Sequence, residues 1–95
     1  MQLDLTGHHA LVGGASQGIG LACAIELATL GADVTLLARR AEVLESLAAQ
    51  LPRIHAAQRH HWLAADAADT ADLRAKIDAL VGERAIHVLV NNSGG

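Results

Sequence analysis

The residues whose types and spacing suit chemistry lie in four short stretches of this 95-residue chain. The first is Leu11-Val12-Gly13-Gly14-Ala15-Ser16-Gln17-Gly18-Ile19-Gly20, an apolar run entering a glycine-rich turn and then the start of a helix. Gly14, Gly18 and Gly20 remove side chains where backbone must bend and approach a guest closely. A helix starting near Gly18 aims its unpaired N–H groups and positive dipole end at the same place, which suits a phosphate. A bare strand-to-helix turn would use the same glycines. The second stretch is Arg39-Arg40, whose guanidinium forks can grip a phosphate through paired bonds. Two solvated cations opening a helix are the plainer alternative, but cations are disfavoured at that end. The third is Asp66 within Ala64-Ala65-Asp66-Ala67-Ala68-Asp69, and the fourth is Asn91-Asn92-Ser93-Gly94.

The elements that must position these residues alternate. His8 to Gly13 reads as a first strand, its continuous apolar run suited to burial on both faces. A helix from Gly18, apolar almost all round and so expected to be covered on most sides, ends at Gly31 as a cap. Ala32 to Ala38 is a second strand, and Ala41 to Leu51 a helix stopped by Pro52. His60 to Ala65 is a third strand. Asp69 or Thr70 then caps a helix striped by Leu73, Ile77, Leu80 and Val81 and closed by Gly82. Ala85 to Val90 is a fourth strand.

This alternation predicts an α/β fold of Rossmann type, a doubly wound parallel sheet of which the chain forms the first half, β-α-β-α-β-α-β. Right-handed crossovers give the strand order 3-2-1-4, with residues 1–95 as the N-terminal part of one dinucleotide-binding domain. The growth of the sheet reverses between strands 1 and 4. Ligands bind at the carboxyl ends of strands flanking such a point, where the glycine loop and Asn91 both fall. Arg39 ends the second strand, 39 − 20 = 19 residues past Gly20. A carboxylate there would hold a ribose 2′-hydroxyl, whereas arginine accommodates a 2′-phosphate.

The glycine spacing, G-x-x-x-G-x-G, together with Asn91-Asn92-Ser93-Gly94, resembles the short-chain dehydrogenase/reductase family along the whole chain. Gly13 stands where that family usually has Thr, and Ser93 where it has Ala. The resemblance implies a cofactor site formed by Gly14, Ser16, Gln17, Gly18, Ile19 and Gly20, with Arg39 and Arg40 favouring NADP(H) over NAD(H). It implies that Asp66 accepts a bond from the adenine amino group and that the Ala67 backbone N–H contacts the ring. Asn91 would tether the central strands and face the adenosine ribose, with Ser93 and Gly94 leaving room for the cofactor. The implied activity is hydride transfer between a nicotinamide cofactor and an alcohol or carbonyl substrate, a 3-oxoacyl carbonyl being one example. Family members act through a Tyr, a Lys four residues later and a Ser. The chain has no tyrosine and one lysine, Lys76, so no catalytic residue can be placed. It is expected to be a truncated, cofactor-binding half that is inactive alone. A self-contained, non-catalytic nucleotide-binding module is the alternative.

Composition narrows the rest. The chain is 52% hydrophobic and 18% charged, a globular balance. A net charge of −3 with interspersed signs argues against a nucleic-acid partner. One cysteine, Cys23, fits a reducing compartment and a core role. No apolar run approaches the ~20 residues of a membrane span. A cytoplasmic homo-oligomer is expected, binding a nicotinamide dinucleotide and a small carbonyl or alcohol. His60 and His61, like His8 and His9, are neighbours pointing to opposite faces of a strand. No metal site is expected from them.

Overall fold

The computed structural model of the chain describes residues 4–14, 18–65 and 69–91. Its elements are β1 (His9–Gly13), α1 (Gly18–Thr29), β2 (Asp33–Ala38), α2 (Ala41–Gln50), β3 (His61–Ala64), α3 (Thr70–Glu83) and β4 (Val88–Asn91). The strands form one parallel sheet in the order β3-β2-β1-β4, as the alternation requires. The register aligns Gly13 with Leu37 on one side and with Asn91 on the other. Ala38 in turn aligns with Ala64. All four carboxyl ends therefore meet at one edge of the sheet.

Every residue of β1 is buried, as expected of a central parallel strand. On one face, Ala10, Val12, Val34 and Leu36 pack with Ala24 and Ala28 of α1 and with Leu44 and Ala48 of α2. Alanine at Ala24 and Ala28 lets α1 approach the sheet closely. Gly31 ends α1 with φ 102°, and a Cβ there would lie 2.8 Å from Thr6 Oγ1. Both the dihedral and the space demand glycine. Asp69 caps α3, accepting from the Asp72 amide at 3.1 Å.

Several sequence expectations need correction. α1 is not covered on most sides: only Gly20, Ala24 and Ala28 are buried, while Ile19 is 73% and Ile25 41% exposed. Gly82 does not close α3, which runs on to Glu83 and is capped by Arg84 in extended conformation. The stripe of α3 buries no residue, and Val81 is half exposed. β4 begins at Val88 rather than Ala85, because residues 85–87 turn the chain out of α3 before it joins the ladder. β3 is trimmed to four residues at the open edge, and the other strand and helix bounds move by one residue.

Candidate functional site

At the carboxyl edge, β1 delivers Gly13 into the turn toward α1. Gly14 has φ 66° and Gly18 φ 63°, so both ends of that turn take the left-handed conformation that glycine adopts without strain. Among the described residues nothing lies within 4 Å of a Cβ built on Gly18. Gly20 is buried in the first turn of α1, and Ile19 points into solvent. The first turn of α1, from Gly18, leaves backbone N–H groups without intrahelical partners beside the end of β1, a fit for a negatively charged group.

β2 ends at Ala38, beside the end of β1, and hands over Arg39 and Arg40. The structure separates the two. Arg40 is the N-cap residue of α2 and pairs with Glu42 at 3.6 Å, both well exposed. Arg39 is exposed, and among the described residues its guanidinium has no ion-pair or hydrogen-bond partner. Asn91 closes the other wall at the end of β4, aligned with Gly13. Ser16, Gln17, Asp66, Ala67, Ser93 and Gly94 lie outside the described residues.

Lys76 is a residue that sequence reasoning passed over once no catalytic role fitted it. Its Nζ donates to the Ala64 carbonyl at the end of β3, at 2.5 Å, and pairs with Asp72 one helical turn earlier at 3.2 Å. It fastens α3 to the carboxyl end of the sheet. Gln58 is fully buried although its connection reads as polar. It donates to the carbonyls of Ala28 and Ala32 at 2.8 and 2.7 Å and accepts from the Ile54 amide at 2.7 Å. No sequence signal marks it, because its partners are backbone groups from distant turns.

The amino-terminal edge of the sheet is polar and closed. His9 is buried, with Nδ1 donating to the Ala85 carbonyl at 3.1 Å and Nε2 meeting Thr35 Oγ1 at 2.7 Å. Burial holds its pKa below the ordinary imidazole value. Asp33 pairs with Arg84 and accepts from the Arg59 amide at 2.9 Å. Desolvation alone would raise its pKa, but the bonds from Arg59 and Arg84 outweigh that and hold the carboxyl below the usual range. Among the described residues no group of three potential ligands gathers around a metal position, and no helix is long and apolar enough to cross a membrane. Two clefts, of about 600 and 310 Å³, lie on either side of β3 and away from the glycine turn.

The family model for short chain dehydrogenase matches residues 8–95. D-threitol dehydrogenase of Mycolicibacterium smegmatis is 44% identical over 91 residues, covering 95% of this chain and 34% of that protein. A very-long-chain 3-oxoacyl-CoA reductase of Aspergillus oryzae is 36% identical over 89 residues, covering 93% of this chain and 26% of the relative. Among solved structures, L-sorbose reductase of Gluconobacter frateurii, complexed with NADPH and L-sorbose, superimposes with a TM-score of 0.86 at 31% identity. That match takes in 100% of this chain and 36% of the reductase. The chain thus spans about a third or less of the length of these relatives.

Proposed function

The chain belongs to the short-chain dehydrogenase family, and from that premise we propose that it is the NADP(H)-binding part of an oxidoreductase acting on an alcohol or carbonyl substrate. The observation that carries this reading is the meeting of Gly13-Gly14, Arg39 and Asn91 at the carboxyl ends of three adjacent strands. The pyrophosphate would sit on the turn from Gly14 to Gly20, held by backbone N–H groups and the α1 dipole. Ser16 and Gln17 would contribute to the same grip. Arg39 would take the 2′-phosphate through its planar fork, with Arg40 a weaker contributor because Glu42 already neutralises it. Asp66 and Ala67 would receive the adenine. Asn91, Ser93 and Gly94 would form the wall beside the ribose. When bound, the nicotinamide supplies or accepts the hydride; the residues here bind and orient it.

The relatives' names support the division of labour. They include a threitol dehydrogenase, an oxoacyl-CoA reductase and a sorbose reductase, yet all match this one segment. A segment common to such different substrates serves what they share. We propose a 3-oxoacyl-type carbonyl among the candidate substrates, chosen by segments outside these residues. On this reading the 95 residues are the N-terminal part of one dinucleotide-binding domain and turn nothing over alone. The whole protein works in the cytoplasm as a homo-oligomer. The second reading is a nucleotide-binding module without turnover.

Equilibrium titration of the full-length protein with NADPH and NADH tests the proposal. A lost charge-assisted pair is worth roughly 1.5–3 kcal/mol, so Arg39→Asp should weaken NADPH by about 10- to 150-fold and leave NADH nearly unchanged. Equal affinities for both cofactors, unmoved by the substitution, would refute the 2′-phosphate role. Tight NADPH binding without turnover on any carbonyl or alcohol would favour the module.

A further inference from the structure

The two outer strands join the central pair through the same unusual device. In a parallel ladder, a residue's N–H and C=O reach to the residues flanking its partner on the neighbouring strand. β4 begins pairing at Ala10↔Val88, and the His87 amide donates to the His9 carbonyl at 2.9 Å. By that register His9 lies beside His87, and the ladder would offer the Ile86 carbonyl to the His9 amide. Instead the His9 amide donates to the His87 ring Nδ1 at 3.0 Å, and Ala85 O accepts from the His9 ring. β3 repeats the construction. It begins pairing at Thr35↔His61, and the residue before it, His60, takes the Val34 amide on its ring Nδ1 at 3.1 Å. In each case the histidine preceding an outer strand replaces a backbone carbonyl at the first rung.

The tautomers follow from the partners. A backbone amide can only donate, so Nδ1 of both rings must be unprotonated. The His60 Nε2 faces the Pro52 carbonyl at 2.7 Å, so that nitrogen carries the proton. Neither ring can accept a second proton at Nδ1 and keep its rung.

We propose that His60 and His87 are two acid-labile latches, His60 fastening β3 and His87 fastening β4 to the central strands, each only while its own imidazole is neutral. The surroundings of each ring support this. Burial opposes charging His60, as do Arg53 and His61, whereas the bond to the Pro52 carbonyl and the Asp33 carboxylate at the start of β2 favour it, and Glu45 of α2 lines the same cleft. Desolvation outweighs these and holds the His60 pKa below the ordinary value. His87 faces the His8 ring edge-on at 5.1 Å and the His9 amide, with Arg84 and Asp33 acting on His9 beside it. The folded state therefore binds fewer protons at His60 than the unfolded chain. The stability it contributes is complete above pH ~6.5 and is lost as pH falls below that toward the folded value. Protonation frees the amino-terminal ends of the same strands whose carboxyl ends are Ala64 and Asn91.

Hydrogen–deuterium exchange on the full-length protein, corrected for the intrinsic pH dependence of exchange, reads the latches directly. Protection of the Val34 amide should be flat above pH 7 and fall by up to about tenfold per pH unit below 6, and protection of the His9 amide should be lost wherever the His87 ring takes up a second proton. His60→Asn offers an acceptor that does not titrate, so Val34 should lose that pH dependence while His9 retains it. His87→Asn should do the reverse. Should either variant fail to fold, the ¹⁵N signals of the native rings give the same answer. Loss of the unprotonated Nδ1 signal should track loss of amide protection. Protection of both amides that is constant from pH 7.5 to 5, or that falls alike in both asparagine variants, would overturn the proposal.

Discussion

The two faces of the sheet are built on different principles. On one, α1 and α2 press Ala24, Ala28, Leu44 and Ala48 into the strands, and the contact is apolar and closed. On the other, α3 buries no side chain and is tied down by polar bonds at its middle and just past its end, Lys76 to the Ala64 carbonyl and Arg84 to Asp33. A cleft of about 310 Å³, lined by Thr35, Leu63, Ala79 and Leu80, opens between them. Packing density sets stability on the first face, whereas a few directional bonds set position on the second. The difference bears on function. The glycine turn opens α1 and Arg39 precedes α2, so both proposed phosphate grips are rooted in the tightly packed layer.

The contrast is broken most easily by truncating one side chain on each face. Leu44→Ala should cost about 2–5 kcal/mol, because a fully buried side chain leaves a cavity. Ile77→Ala on α3, only half buried, should cost under about 1 kcal/mol. Urea unfolding of the two variants measures both, and equal losses would mean that α3 is part of the same core. Gln58→Leu follows in size. It leaves the Ala28 and Ala32 carbonyls without their donor, a loss of roughly 1–3 kcal/mol from the closed face despite a more apolar side chain.

The polar fastenings should yield smaller effects. Asp33→Asn should cost about 1 kcal/mol at neutral pH, since its pair with Arg84 is partly exposed. Its folded pKa lies below 3.8, so that contribution is present above pH ~4 and disappears as pH falls through the folded value. Unfolding midpoints of wild type and variant should therefore converge as the pH falls through the folded value. A gap that persists below that value would assign the effect to shape rather than charge. Lys76→Met should be the mildest, within about 0.2–1 kcal/mol, and should raise amide exchange in α3 without disturbing α1.

The fold was legible because local and global signals agree. Alternating apolar runs, Gly31, Pro52 and Asp69 mark the same boundaries that the topology requires, and right-handed crossovers leave one strand order. What sequence could not show depends on three-dimensional partners. Periodicity places Leu73, Ile77, Leu80 and Val81 on one stripe of α3, but not how closely anything approaches it. Alternation sends His60 and His61 to opposite faces, but not that the His60 ring ends a ladder. Gln58 is invisible for the same reason. At the site, residue type pointed to both arginines, and only the structure shows Arg40 engaged by Glu42.

The position of the bound nucleotide decides whether the glycine turn and Arg39 form the site. Amide exchange or chemical-shift mapping of the full-length protein with saturating NADPH reads that position residue by residue. Gly13, Gly14, Gly18 to Gly20, Arg39 and Asn91 should be protected or shifted together, with His9, Asp33 and His61 at the opposite ends of the strands unchanged. Changes confined to the larger cleft, at Ala49, Leu51 and Arg53, or no change at the glycine turn, would contradict that assignment.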